Sequence, residues 1–148
     1  MSTTVGDVHA ALLSTCSTVL GAGWQQLKKV FDPAQNDLRN IEQAYGVRHG
    51  AASPIENITV VYSMGQQFDI VLTDRAANRD SDLAIQERLN VLYDKADQIF
   101  KEALRTRLSL NIVTLVSGLR FEKPELLDNG AILLTASLDV TYYIDSNP

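Results

Sequence analysis

The sequence predicts an α+β fold: a mainly antiparallel sheet of about four strands, flanked by an N-terminal helix and one long central helix. Apolar residues recur with a helical period over residues 5–20 and 85–103, and they alternate with polar residues over 58–74 and 131–144. The resulting order, α-β-β-α-β-β, is typical of an antiparallel sheet covered by helices. A length of 148 residues suits a single domain, residues 1–148.

The first predicted helix spans residues 5–20. At about 100° per residue, one arc of this helix contains Val5, Val8, Leu12, Cys16 and Val19. Gly21 and Gly23 follow and end the helix. We therefore expect Cys16 to be a small core residue and His9 to lie on the flank of the helix.

The next segment carries a weaker pattern. Apolar residues at positions 24, 27, 30 and 31 are compatible with either a helical turn or a short strand, and Asp32-Pro33 then ends the element. A short helix is predicted at residues 35–44.

The stretch YGVRHGAAS, residues 45–53, places Arg48 and His49 between two glycines. Glycines on both sides of charged residues are typical of a loop. We predict a loop that approaches the first strand, with the glycines allowing a sharp turn of the backbone.

Residues 58–74 have the alternation of β-structure. The even-numbered positions from Ile58 to Leu72 are mostly apolar, and this parity continues across Gly65. Two arrangements fit the pattern: a hairpin that turns at SMGQQ, or one long strand bent at Gly65. The sequence leaves both open.

The central helix is the clearest element. Asp80 or Ser81 is suited to cap its N-terminus, and its apolar arc is formed by Ile85, Leu89, Leu92, Tyr93, Ala96, Ile99, Phe100 and Ala103. Val91 points away from this arc. We therefore expect Val91 to be exposed, either incidentally or as a contact with a neighbouring subunit.

The last third of the chain predicts two strands, residues 110–121 and 131–144, joined by the turn EKPELLDNG. In the second strand the even-numbered residues from Ile132 to Ile144 are apolar, whereas the other face is mixed and includes Thr141 and Tyr143. One face is expected to pack on a core and the other to meet solvent or a partner.

The charge pattern disfavours binding to nucleic acids and to membrane surfaces. The net charge is −5 and the longest basic run is Lys28-Lys29, whereas such surfaces need clustered Lys and Arg. The single cysteine rules out an intramolecular disulfide and suits a reducing compartment. The N-terminal apolar run has no preceding basic residue, so no signal peptide is predicted.

Candidate catalytic and ligand-binding groups do not converge in the sequence. Cys16 and His9 would lie about 10 Å apart along one helix, which is too far for a hydrogen bond. The acids of DRAANRDSD lack the spacing of a calcium loop, and GVRHG matches neither phosphate-binding glycine motif. We predict no enzymatic activity, no metal and no cofactor.

The order and character of the segments resemble a known family. After the N-terminal helix come a W…LKKVFDP…N segment, YGVRHGAAS before the first strand, FDIVLTDR at the end of the strand pair, LYDKADQIFKEAL in the long helix, and the closing strand AILLTASLDVTYYID. In this order the chain resembles the tail terminator proteins of long-tailed bacteriophages, which are neck proteins that cap the tail tube and join it to the head.

The resemblance implies a structural virion protein without enzymatic activity or cofactor. It implies a homohexameric ring that caps the tube, ends tail polymerisation and offers the surface for head joining. The implied partners are other copies of the chain, the tail tube protein and the head–tail connector proteins, with the tail sheath as a further candidate. DNA would only pass through the lumen of the ring, and no membrane is involved. The implied location is the neck of the virion, after synthesis in the host cytoplasm.

A closed ring needs a heterologous interface, in which one patch meets a different patch on the next subunit. The candidate contacts with a neighbouring subunit or with the tube are Tyr45, Arg48, His49, Val91, Glu125, Leu126, Leu127, Thr141 and Tyr143. Two alternatives stay open: another connector or neck subunit, and a small ligand-binding or enzymatic α+β domain that uses the Arg48-His49 loop. Nucleic-acid binding through a local basic patch is a distant third.

Overall fold

A computed structural model of the chain describes residues 4–33, 36, 43–57, 61–76, 80–127 and 130–145. The helices within these residues are α1, Thr4–Leu20, and α2, Asp82–Thr106. The strands are β1, Gln25–Gln26; β2, Ala44–Asn57; β3, Val61–Arg75; β4, Val113–Phe121; β5, Glu125–Leu126; and β6, Ala131–Asp145. The predicted α+β class with an N-terminal and a central helix is confirmed.

The described strands form one sheet in the order β1-β2-β3-β6-β4, with β5 beside β6. β1 pairs with β2 in parallel, and the other pairs are antiparallel. β3 and β6 form the centre of the sheet and pair along their whole lengths, from Val61 opposite Asp145 to Arg75 opposite Ala131. The long strands β2, β3, β6 and β4 give a mainly antiparallel sheet, as predicted.

The extent of β3 shows which of the two arrangements left open at Gly65, a hairpin or one long strand, is correct. One strand runs from Val61 to Arg75 through Gly65, so the single long strand is correct and a hairpin at SMGQQ is wrong. The antiparallel neighbour that the hairpin would have supplied comes instead from β2.

The stretch YGVRHGAAS is part of β2, so the prediction of a loop is wrong. Its residues pair with β3 from Tyr45 opposite Leu72 onward, with a register shift between His49 and Ala52. A Cβ on Gly46 would clash with Val30 Cγ1. Gly46 therefore serves a close approach of two chain segments within a strand, which is one of the two usual meanings of a strand glycine.

Other local predictions have mixed outcomes. The segment after α1 contains the short strand β1 rather than a helical turn. The predicted helix at residues 35–44 lies mostly outside the described residues, and Ala44 begins β2 instead. Ser81 caps α2 as predicted, because its side chain accepts a hydrogen bond from the Ala84 N–H at 3.3 Å. Val91 is half-buried rather than exposed.

Both helices pack on one side of the sheet, here called the helix face. The even-numbered side chains of β3 and β6 point to this side, and those at its centre are fully buried: Phe68, Ile70, Leu72, Leu134, Leu138 and Val140. Cys16 lies in the same core, as predicted, and burial raises the pKa of its thiol to about 12, against a smaller lowering by a backbone hydrogen bond. A thiol with that pKa stays protonated at neutral pH and packs as a small apolar side chain.

Candidate assembly surface

The side of the sheet opposite the helices, here called the far face, changes character along its strands. Along β6 the side chains on this face run from Ala131 and Leu133, through Thr135, Ser137 and Asp139, to Thr141 and Tyr143. The face is thus apolar at one end and polar in the middle. We call its other end, around Leu115 of β4 and Thr141 and Tyr143 of β6, the tip.

A second, smaller core closes the apolar end. Its buried members are Leu27, Ala44, Val71, Ala131 and Leu133, with Val30 and Leu127 packed at its rim. Leu27 and Val30 belong to the segment after β1, and the absence of a Cβ on Gly46 lets that segment lie against the sheet. This end of the far face is consequently occupied by the chain itself.

The polar middle is centred on Asp69. Its Oδ2 accepts a hydrogen bond from Arg48 Nε at 2.9 Å, and its Oδ1 accepts from Ser137 Oγ at 2.7 Å and from Gln67 Nε2 at 2.9 Å. Burial alone would raise the pKa of Asp69. The hydrogen bonds from Ser137, Gln67 and Arg48, together with the charge of Arg48, outweigh burial and hold the pKa of this carboxyl below its ordinary value. Asp69 is therefore ionised at neutral pH.

The same hydrogen-bonded chain continues to the opposite edge of the sheet. Arg120 Nη2 donates to Gln67 Oε1 at 2.8 Å, and Arg120 Nη1 donates to Asp139 Oδ2 at 3.1 Å. A register shift in β4 next to Gly118, which has φ +72°, brings Arg120 onto this face, and a Cβ on Gly118 would lie 2.6 Å from Asp139 Oδ2. We call this set the polar network: Arg48, Gln67, Asp69, Arg120, Ser137 and Asp139.

The tip keeps two large apolar side chains in solvent. Leu115 lies directly opposite Thr141 and is 51% exposed, and Tyr143 is 41% exposed. An open groove of about 390 Å³ also reaches Thr141, and its lining combines small residues such as Gly65 and Ser117 with the larger polar Gln66, Gln67 and Asp139. The exposed side chains of Leu115 and Tyr143 make the tip suited to contact with another protein surface.

Arg48 and His49 do not form a joint site. They are neighbours on a strand and therefore point to opposite faces. Arg48 joins the polar network, whereas the ring of His49 stacks on His9 of α1 with 4.5 Å between the ring centroids. Because their side chains point to opposite faces, Arg48 and His49 cannot line one ligand-binding loop, which that alternative requires.

The other predicted contact residues are scattered. Tyr45, predicted as a contact residue, is only 7% exposed in the single chain and belongs to the main core. Glu125 is exposed opposite Leu133, Leu126 is exposed on the other side of β5, and Leu127 packs on the second core. Only Thr141 and Tyr143 come together, at the tip.

Sequence reasoning missed Leu115, Asp69 and Arg120. Leu115 follows a register shift in β4, so only the pairing of β4 with β6 places it opposite Thr141. Asp69 is a carboxylate inside the apolar run FDIVL, a signal that usually marks a paired charge. Arg120 depends on the bulge at Gly118, which the sequence pattern hides.

The described residues also line a cleft that shares no residue with the groove at the tip. This cleft of about 520 Å³ lies where β3 ends and α2 begins, with Arg88 Nη1 3.8 Å from Asp74 Oδ2. Its lining mixes both signs of charge, including Arg75 and Glu87. Within the part of the chain that the structure describes, no three His, Cys, Asp or Glu side chains group as metal ligands. Neither described helix has the length and apolar character needed to cross a bilayer.

Comparisons with known proteins give similarity in structure and none in sequence. No protein-family model matches the sequence, and no curated protein matches it. Among solved structures, the chain is similar to a chain from the virion of a native gene transfer agent (GTA) particle, with a TM-score of 0.49 and 10% identity. The alignment covers 95% of this chain and 97% of that chain.

Proposed function

We propose that this chain is a structural virion protein of the tail terminator type. In this proposal it forms a six-membered ring in the neck of the virion, where it caps the tail tube, ends tail polymerisation and offers the surface for head joining. It acts without enzymatic activity or cofactor. The order of sequence segments supports the family, and the observation that carries an assembly role is the exposed tip of the far face.

The subunit has two different exposed apolar patches, which is what a ring requires. One is the tip, with Leu115 and Tyr143. The other is on the helix face, where Phe121 of β4 is 40% exposed against the Tyr93 ring and Leu126 of β5, opposite Ile132, is 55% exposed. A cyclic assembly joins one patch to a different patch on the next copy. Two distinct patches on one subunit support such a head-to-tail contact.

A structural role also agrees with the chemistry of the groups that a catalytic role would need. Cys16 is buried with a pKa raised to about 12 by that burial, so it has no thiolate to attack a substrate. His49 stacks on another imidazole, and Arg48 is engaged by a carboxylate on the other side of the sheet. These contacts support a non-catalytic protein.

The assembly can be tested with purified protein and purified tail tubes. Light scattering and negative-stain imaging are expected to show a ring of six copies, alone or on the ends of tubes, and tubes capped in this way should stop elongating. A chain that stays monomeric and leaves tube ends free would overturn the proposal. Binding to filled heads instead of tubes would favour the alternative of another neck or connector subunit.

Surface variants locate the contact. Leu115→Ser and Tyr143→Ser at the tip are expected to abolish ring formation, and so is Leu126→Ser on the second patch. Leu104→Ser is the matched control, because Leu104 is 45% exposed on α2 outside both patches. Loss of assembly in the control alone would show that the ring uses the solvent face of α2 instead.

A further inference from the structure

Both histidines of the chain meet where α1 packs on β2. The rings of His9 and His49 stack with centroids 4.5 Å apart and planes 21° apart. Phe68 of β3 lies beside both, 5.4 Å from His49 and 6.5 Å from His9 between centroids. The two imidazoles and the phenyl ring form one aromatic contact between a helix and the outer part of the sheet.

The hydrogen bonding of His9 fixes where its proton lies. His9 Nε2 is 2.8 Å from the backbone oxygen of Val47. A carbonyl can only accept, so Nε2 carries the hydrogen, and a second proton would go to Nδ1 and make the ring a cation. His49 has an exposed ring that can also take a second proton. Protonation of both would place two positive charges within one stack.

The charged groups of the surrounding elements do not offset such charges. Asp7 of α1 is about 160° around the helix from His9 at 100° per residue. Arg48 of β2 and Asp69 of β3 pair with each other on the far face. Glu102 of α2 lines a groove with Ala11, Thr15 and Thr18, on the flank of α1 away from His9.

We propose that the His9–His49 stack is an acid-sensitive latch that holds α1 against β2. Neutral imidazoles close the latch by stacking and by the hydrogen bond to Val47. Protonation of both rings weakens it by repulsion, and the first turns of α1 then open from β2 more often, against the burial of Val8 and Leu12 in the main core.

The direction of the pH effect follows from His49. Burial, and then the charge of His9, lower the pKa of His49 from its ordinary value. A base whose pKa is lowered on folding binds its proton more tightly in the open state. The latch is therefore fully closed above the ordinary histidine pKa of about 6.5, and it weakens as the pH falls through and below that value. Each unit of difference in pKa corresponds to about a tenfold change in the opening constant.

Hydrogen exchange of the intact chain tests the latch. Amide exchange, corrected for its intrinsic pH dependence, is compared at about pH 7.5 and about pH 5, with the amides of α2 as the internal reference. We expect exchange of residues 5–12 to accelerate in acid, and exchange of α2 to change much less. NMR titration of the two imidazoles is expected to show that His9→Gln raises the pKa of His49.

Two variants keep the contact between α1 and β2, and each removes one of the two titratable imidazoles. His49→Phe preserves a ring in the stack, and His9→Gln keeps a side-chain N–H for Val47. Each is expected to suppress the acid acceleration in α1. The latch is disproved if α1 exchange in the wild type does not change between the two pH values, if α2 accelerates to the same extent, or if both variants keep the full acid response. These outcomes are independent of whether the chain forms a ring.

Discussion

The two faces of one sheet are built differently, although the same strands supply both. On the helix face, side chains from α1, α2 and the long strands form one continuous core. On the far face the strands pass from a small second core, through the polar network, to the exposed tip. Stability is concentrated on the helix face, and the far face retains the surface that a partner can reach. The comparison predicts that identical substitutions on the two faces have different consequences.

The largest difference is expected between Leu138→Ala and Leu115→Ala. Leu138 is fully buried on the helix face, so its truncation removes apolar burial and leaves a cavity, at a cost of about 2–5 kcal/mol. Leu115 is half in solvent, and its truncation should change the free energy of unfolding by less than about 0.5 kcal/mol. Urea denaturation of both variants measures the two changes in the free energy of unfolding. Equal losses would show that the tip is packed in the protein as it exists in solution.

The next largest loss of stability is expected for Gly46→Ala, at the apolar end of the far face. The new methyl group would collide with Val30 Cγ1, and overpacking of this kind costs about 1–3 kcal/mol. Val30→Ala should restore most of the loss when the two changes are combined, because it removes the colliding atoms. A double-mutant cycle measured by denaturation detects this coupling. Additive losses would mean that Val30 is not the residue that requires glycine here.

The same region shows how far the sequence could predict the fold. Period-two alternation located most of β3 and nearly all of β6, and the helical period located both helices, because burial on one face imposes that pattern directly. β2 was missed because Gly46 and Gly50 interrupt the alternation. The reason for Gly46 is a contact with Val30, sixteen positions earlier, which no local pattern contains.

The candidate surface was less accessible to sequence reasoning than the fold. Thr141 and Tyr143 were placed on the correct side of their strand by alternation. Arg48 and His49 were grouped because they are adjacent in sequence, and adjacency in a strand is what separates them onto opposite faces. Leu115 joins the tip only through pairing of β4 with β6, which is a long-range contact. Strand register, rather than composition, decides which residues share a surface.

Asp69→Asn is expected to have an intermediate effect. The side chain of Asp69 is 10% exposed, and the substitution weakens the hydrogen bonds from Ser137 and Arg48 and leaves the Arg48 guanidinium without its carboxylate. Loss of a charged hydrogen-bond partner at such a site costs about 1–3 kcal/mol. Thermal or urea denaturation at neutral pH measures it. A loss below about 0.5 kcal/mol would show that the polar network contributes no more to stability than exposed surface charges do.

The pH dependence of the Asp69 variant gives a second readout. Because folding lowers the pKa of Asp69, its stabilising contribution is complete above its ordinary pKa of about 3.9. That contribution is lost as the pH falls through the lowered folded-state value. The wild type should therefore lose stability more steeply than Asp69→Asn below about pH 4, a range separate from that of the histidines. Parallel curves in this range would contradict the assigned cause.

The smallest effect is expected for the ion pair at the exposed end of the polar network. Arg120 and Asp139 are 47% and 46% exposed, and exposed pairs contribute about 0.2–1 kcal/mol. A double-mutant cycle of Arg120→Gln and Asp139→Asn should give a coupling in that range. The coupling should decrease strongly near 1 M salt, where the screening length falls to about 3 Å. The Arg48–Asp69 pair, whose side chains are 19% and 10% exposed, should retain most of its coupling under the same conditions. Equal salt sensitivity of the two pairs would show that solvent reaches both ends of the polar network equally, and the difference in exposure between its two edges would then have no energetic consequence.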